Sequence, residues 1–183
     1  MSMTTATLVP VDEYLATSYE PDREYVDGQL LERNVGEHDH SLLQTILAAY
    51  FYALGKRLPI RTFTEQRVQI VSEAGRHRYR IPDISVVLKP YRRQPVLTEP
   101  PLAAIEILSE DDTVTSILDR LEDYRLFGIP HIWVIDPAVR RTYRLEQRQQ
   151  SSALQEVSSR RMRIPELDLE VDFNELFLDL DSD

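Results

Sequence analysis

Two acidic side chains interrupt apolar, strand-like segments of this sequence. Asp83 follows a proline and precedes a run of isoleucine and valine, and Glu106 lies between two isoleucines further along the chain. A carboxylate buried among such residues carries a large desolvation cost unless a cation or several hydrogen-bond donors meet it. Two such acids in two strands therefore predict a metal site.

Each acid also has a simpler interpretation. Asp83 could cap a turn at the start of a strand, because Pro82 fixes the backbone just before it. Glu106 could lie at a strand end and face water. The sequence leaves both alternatives open, although the two acids together favour the metal site.

The composition bounds the class of protein. With 183 residues, of which 42% are hydrophobic and 28% charged, we expect one globular domain over residues 1–183, with its core over residues 11–176. The absence of cysteine excludes disulfides and thiolate chemistry. No secretory leader or membrane-length apolar run is evident, so we expect a cytoplasmic protein that does not enter the membrane.

The net charge of −10 argues against a broad surface for nucleic acid. Proteins that bind nucleic acid gain affinity by neutralising phosphates with lysine and arginine. Here Lys56 and Lys89 are the two lysines among 21 basic side chains. Any contact with nucleic acid must therefore be local.

The first elements that position the acids follow from turn signals and hydrophobic periodicity. A short helix is predicted over Val11–Thr17, and Asp27-Gly28 predicts the turn of a hairpin over residues 24–32. A long helix is predicted over Asp39–Leu58, where Ser41 has capping-box spacing with the glutamine three residues later.

The rest of the chain reads as strands around one more helix. That helix is predicted from Thr115 to Phe127, with Gly128 as its C-terminal stop, and His131–Asp136 is apolar enough for a strand buried on both faces. An acidic tail is predicted to end the chain. The other predicted strands are Thr62–Val71, Tyr79–Leu88, Leu102–Leu108, Thr142–Gln147, Ala153–Val157, Arg161–Ile164 and Leu167–Val171.

The two acids belong to a longer series of motifs. In chain order these are Glu24-Tyr-Val-Asp-Gly, His40, Pro82-Asp83, Glu106-Ile-Leu-Ser, Tyr124 and Gly128-Ile-Pro-His-Ile-Trp-Val-Ile-Asp-Pro. The series resembles the Uma-type putative restriction endonuclease family of the PD-(D/E)XK nuclease superfamily. The resemblance implies an α/β fold of restriction-endonuclease type, in which a central mixed β-sheet is flanked by helices, here with an N-terminal helix and β-hairpin.

The resemblance also implies metal-dependent cleavage of DNA. An aspartate and a glutamate on adjacent strands of such enzymes hold a divalent ion, so Asp83 and Glu106 are the expected ligands, with the backbone carbonyl of Ile107 as a third. The expected ion is Mg²⁺, with Mn²⁺ as a substitute, because hard oxygen ligands suit it and its bound water can act as the nucleophile. A homodimer is implied as well, because folds of this kind often cut two strands with two subunits.

The chain departs from the superfamily pattern at the catalytic lysine. The lysine position two residues after the glutamate holds Leu108, and the displaced position, four residues before Tyr124, holds Arg120. A guanidinium there could stabilise a charged transition state but could not act as a base. The alternative for Arg120 is an ion pair with Asp123 on a wet helix face.

His40 completes the candidate site residues. It could orient a water or touch a phosphate, or it could be an ordinary surface or core histidine. His38 and Asp39 should fan away from it on a helix, so chelation by all three is not expected. Two functions stay open: a Mg²⁺-dependent DNA endonuclease, and a catalytically degenerate nuclease fold that acts as a binding or scaffolding protein.

Overall fold

The computed structural model of the protein describes residues 8–33, 37–72, 74–147 and 152–182. Over these ranges the chain forms four α-helices, twelve strands and a 3₁₀ turn at Pro165–Leu167. The helices are α1 (Val11–Ala16), α2 (His38–Leu54), α3 (Val114–Phe127) and α4 (Phe173–Leu180). The strands are β1 (Arg23–Val26), β2 (Gln29–Glu32), β3 (Ile60–Thr64), β4 (Val68–Val71), β5 (His77–Arg80), β6 (Ile84–Leu88), β7 (Ala103–Ile107), β8 (His131–Asp136), β9 (Arg141–Gln147), β10 (Ser152–Glu156), β11 (Arg161–Ile164) and β12 (Leu169–Asp172).

The central sheet is mixed, as predicted. Its strand order is β10-β9-β8-β7-β6-β3, with β7 and β8 parallel and the other neighbours antiparallel. A smaller sheet has the order β2-β1-β5-β4, and β11 pairs with β12. Helices α2 and α4 pack on one face of the central sheet and α3 packs on the other. The predicted central mixed sheet flanked by helices is confirmed.

Strand β7 separates two layers of the core. Ile105 and Ile107 pack on the side of α2 and α4, whereas Ala104 packs on the side of α3. Successive side chains of a strand point to opposite faces, so Glu106 projects towards α3. The sheet thereby fixes the direction of one of the two acids.

Two of the predicted strands are wrong as continuous elements. The segment Thr62–Val71 is divided between β3 and β4, and Tyr79–Leu88 is divided between β5 and β6, with the halves in different sheets. Glu65 has a φ of 52° at the first break. Pro82, which has no N–H to donate to a ladder, lies in the second break. Asp83 therefore stands where the chain crosses from one sheet to the other.

The two ends of α2 also differ from the prediction. The helix ends at Leu54 rather than four residues later, because the next turns tighten and Pro59 follows. The predicted capping box is wrong, since Ser41 lies inside the helix. The side chain of Gln44 instead donates to the backbone carbonyl of Asp83 at 3.2 Å.

The predicted acidic tail is helix α4. Its buried residues have the spacing of one helical face, and they pack against α2. They are Phe173, Leu176, Phe177 and Leu180. The N-terminal hairpin is confirmed, with positive φ at Asp27 and Gly28, and α3 ends at Gly128 in the left-handed conformation as predicted. In the part of the chain that the structure describes, no helix combines the length and apolarity needed to cross a membrane.

Candidate active site

Asp83 is buried and is held by groups distant in sequence. Its Oδ2 accepts from the backbone N–H of Ile107 at 2.8 Å, and its Oδ1 accepts from Nη2 of Arg33 at 3.0 Å. These donors come from β7 and from the residue after β2, so the carboxylate does not cap a local turn. Ile107 meets the site through its N–H, and a ligand role for its carbonyl stays a prediction.

Glu106 is only 1% exposed in the middle of β7, which excludes the water-facing alternative. Its Oε2 accepts from Nη1 of Arg120 at 2.6 Å, and its Oε1 accepts from the hydroxyl of Tyr124 at 2.5 Å. Burial raises the pKa of Glu106 to about 7. Asp83 and Glu24 add to that rise, and Arg120 and Tyr124 oppose it.

The strand register brings the two acids together. Ile84 of β6 is directly opposite Ile105 of β7 in an antiparallel pair. Asp83 is the residue before Ile84 and Glu106 is the residue after Ile105, so continuing this register by one step places the two acids opposite each other where β6 begins. Directly opposite residues have Cβ atoms about 4.5–5.5 Å apart. The sequence prediction of two juxtaposed carboxylates agrees with this geometry.

Arg120 extends from α3 to the acids rather than into solvent. Its guanidinium bonds Glu106 and lies 3.7 Å from Oε1 of Glu24 and 3.9 Å from Oδ1 of Asp112. Its buried Nε has no hydrogen-bond partner among the described residues. The alternative of an ion pair with Asp123 is wrong, because Asp123 is buried and pairs with arginines of β5.

Sequence reasoning missed Glu24 and Arg33. Glu24 is buried on β1, where its Oε2 accepts from Nη1 of Arg80 at 2.7 Å and its Oε1 accepts from the N–H of Ile81 at 3.0 Å. Its place in the hairpin motif was visible, but a glutamate in a short strand usually faces solvent. No local signal marks Arg33, which is recognisable only by its contact with Asp83.

His40 joins the cluster from the first turn of α2. Its Nε2 is 3.4 Å from Oδ2 of Asp83, and its buried Nδ1 has no hydrogen-bond partner among the described residues. Burial lowers the pKa of His40, but the contact with Asp83 outweighs it, so the net shift is upward. The exposed His38 contacts Asp39 at 3.2 Å and Asp39 also pairs with Arg140, whereas His40 turns away from both to Asp83.

A cleft of about 620 Å³ adjoins the acid cluster. His40 and Asp112 line it, and these residues contact Asp83 and Arg120 respectively. The rest of the wall combines apolar side chains, among them Leu108 just after β7, with the acids Glu37, Asp39, Glu110 and Asp136. The cleft therefore meets the acid cluster through His40 and Asp112, and neither Asp83 nor Glu106 lines its wall.

The donor chemistry fits a hard divalent cation. Across the residues that the structure describes, no three His, Cys, Asp or Glu side chains form a ready-made metal cage. Mg²⁺ does not require one, because it is typically held by one or two carboxylates and keeps several waters. Burial is the main cause of the raised pKa of Glu106, and a divalent cation held by this carboxylate would favour its ionised form.

Without a divalent ion, the protein should lose stability relative to Glu106→Gln as the pH rises from about 5 to 8. The pKa of Glu106 is about 7 when folded, above its ordinary value of 4.5, so the folded state binds the extra proton in this window. Ionisation of Glu106 at the upper end of this pH range should lower the free energy of unfolding by on the order of 2 kcal/mol. Urea denaturation in EDTA at several pH values checks this, and identical pH profiles for the two proteins would contradict it.

Residues 11–180 match the model of the Uma2 family, described as putative restriction endonuclease. The crystal structure of a putative nuclease of the DUF820 family from Anabaena variabilis is similar to this chain. It is 23% identical, the match covers 92% of this chain and 97% of the other, and the TM-score is 0.76. That likeness establishes the fold. None of the curated proteins matches this chain.

Proposed function

The chain belongs to the Uma2 putative restriction endonuclease family, as its motifs predicted, and we propose that it is a Mg²⁺-dependent endonuclease that hydrolyses phosphodiester bonds in DNA. One observation carries the proposal: Asp83, just before β6, and Glu106, on the neighbouring strand β7, are both buried, and His40, which contacts Asp83, lines an open cleft. Burying two acids side by side is costly in a purely structural role. A metal-dependent reaction requires such a pair of carboxylates and therefore explains why they are buried together.

Asp83 and Glu106 would hold the metal ion through carboxylate oxygens. When bound, Mg²⁺ activates a water and offsets the charge that develops on the phosphate. The N–H of Ile107 and the guanidinium of Arg33 fix the orientation of Asp83, and the Tyr124 hydroxyl fixes that of Glu106. The arrangement is preorganised before any substrate binds.

Arg120 would act on the phosphate as a fixed positive charge. Its guanidinium keeps its proton, so it stabilises negative charge and takes no proton from water. It already touches Glu106 and leaves Nε without a hydrogen-bond partner within the described ranges.

The homodimer stays a prediction from the resemblance. Two subunits would present one such site to each strand. Light scattering on the purified protein, with and without DNA, measures the subunit count directly.

The experiment is cleavage of plasmid and single-stranded DNA with Mg²⁺ or Mn²⁺, comparing the protein with Asp83→Asn and Glu106→Gln. The cleavage rate of both variants should fall by about 10²-fold or more. Each variant loses a metal ligand, and a bound metal ion stabilises the transition state by several kcal/mol. Glu13→Gln is the matched control, since Glu13 is exposed on α1 and the same charge is removed. Equal activity in all four proteins would indicate a contaminant and contradict the proposal.

A degenerate nuclease fold that binds without cutting is the second candidate. It is favoured by the 2.6 Å ion pair of Glu106 with Arg120, which stands at the lysine position of the family. Calorimetric titration of Mg²⁺ and Mn²⁺ separates the two functions. An absence of both cleavage and metal binding would contradict the nuclease and leave the second candidate.

A further inference from the structure

Most arginines of this acidic chain are engaged by carboxylates, but one group of cations is not. Over the described ranges, six basic side chains without an ion pair occur around the start of β3 and the end of β6, and we call them the basic edge. They are Lys56, Arg57, Arg61, Lys89, Arg92 and Arg93. Arg160, the other described cation without an ion pair, bonds Asn174 and lies over the ring of Phe177.

The fold brings three members of the basic edge to one place. Lys56 follows α2, Arg61 is on β3, and Lys89 follows β6, and all three line one shallow depression. The N–H of Lys89 donates to the carbonyl of Pro59 at 2.7 Å, and its ammonium donates to the carbonyl of Gly55 at 2.9 Å. Backbone pairing therefore fixes this part of the surface.

The two arginines of the following loop are carried to the same face. Arg61 and Phe63 point to the same side of β3, because they are two residues apart in a strand. The ring of Tyr91 packs edge-on against Phe63, with ring centroids 5.6 Å apart. Arg92 and Arg93 follow directly and are exposed. Glu99 shares a neighbouring depression with Arg92 but is not paired with it.

The basic edge and the acid cluster occupy opposite ends of the same two strands. Strand β3 is the last strand of the central sheet and is antiparallel to β6, with Ile60 opposite Leu88 and Thr64 opposite Ile84. Asp83 immediately precedes Ile84. Five residues of strand separate the two ends by about 17 Å, which corresponds to about five base pairs of duplex DNA.

We propose that the basic edge binds the phosphate backbone of duplex DNA to one side of the scissile phosphate. This inference rests on the proposed function, and it names how a chain of net charge −10 holds a polyanion. Cations already paired with acids gain little from a phosphate, whereas unpaired lysines and arginines are available to it. Their separation from the acids places the contact on the flanking duplex.

The test is the affinity of the full chain for a fluorescent duplex of about 20 base pairs, measured by anisotropy in EDTA at several salt concentrations. The variant carries Lys56→Gln, Arg61→Gln, Arg92→Gln and Arg93→Gln. The matched control carries Arg141→Gln, Arg144→Gln, Arg161→Gln and Arg163→Gln, an equal loss of charge from exposed arginines that are ion-paired.

The basic-edge variant should bind at least about 30-fold more weakly at moderate salt, and its slope of log affinity against log salt should fall by about 3. The control should stay within about threefold of the original chain. Equal weakening of both variants would overturn the proposal, because long-range charge would then explain the loss. Failure of the original chain to bind the duplex would overturn it too.

Binding in EDTA separates this proposal from the proposed function. If the protein binds DNA through the basic edge but never cuts it, the proposed nuclease function is contradicted and the proposed DNA-binding surface is supported. If the basic-edge variant cuts and binds DNA as well as the original chain, the proposed nuclease function is supported and the proposed DNA-binding surface is contradicted. Thermal unfolding of both variants confirms that they fold.

Discussion

Asp123→Ala is expected to lower the free energy of unfolding by about 3–5 kcal/mol, because it removes one partner from a buried charge network. Asp123 is 1% exposed on α3 and accepts from Nε of Arg80 at 2.7 Å and from Nη1 of Arg78 at 2.6 Å. Arg78 keeps Asp27 as a partner on the hairpin turn. Arg80, buried as deeply, would be left with Glu24 alone.

Urea denaturation of the purified variants measures this loss. Asp119→Ala is the matched control, since Asp119 is exposed on the same helix. Surface changes of this kind usually stay within about 0.5 kcal/mol. A similar small effect of both substitutions would mean that solvent reaches Arg80 and that the network is not a buried one. The variant should also cleave DNA poorly, because Arg80 orients Glu24 beside Arg120.

The elements that the sequence predicted well are those with local chemical signals at their ends. Asp27-Gly28 provides the positive φ values that a tight hairpin turn requires, and Gly128 provides the left-handed residue that ends α3. The helix α4 had its signal too, in the spacing of its four buried apolar residues. The helix was predicted as a tail because it is short and acidic residues surround it.

The errors concentrate where the chain passes between sheets. Residues 62–71 and 79–88 each carry an unbroken β pattern, and periodicity cannot tell which sheet a strand joins. The breaks depend on tertiary pairing. Asp83 was found despite this error, since a carboxylate beside buried apolar residues is unusual wherever the strand begins.

Local signals in the sequence marked only the two acids of the site, whereas Arg120 and His40 were identified through the family resemblance. Asp83 and Glu106 interrupt apolar runs, so burial of a charge could be inferred for each from its neighbours. Glu24 and Arg33 have polar or mixed neighbours, and their burial results from packing against distant elements. A single sequence contains no local trace of such contacts. The position of Arg120 over Glu106 followed from helix spacing in the resemblance rather than from its own neighbours.

Arg120→Lys is expected to raise the rate of DNA cleavage by about 10–100-fold with Mg²⁺, because a lysine can exchange its proton with the reacting water and an arginine cannot. A second effect acts in the same direction. The guanidinium bonds Glu106 and also approaches Glu24 and Asp112, whereas a compact ammonium cannot span all three. Glu106 should therefore be released more readily to a metal ion.

Single-turnover cleavage across pH and Mg²⁺ concentration distinguishes the two effects. A rate that climbs with pH in the lysine variant, and not in the original chain, would report proton transfer by the new amine. If the lysine variant needs less Mg²⁺ but keeps the pH dependence of the original chain, the gain comes from the release of the Glu106 carboxylate. Arg125→Lys, on the same helix and paired with Glu122, should change neither quantity. A lysine variant no faster than the original chain would contradict the prediction and show that Arg120 does not limit the reaction.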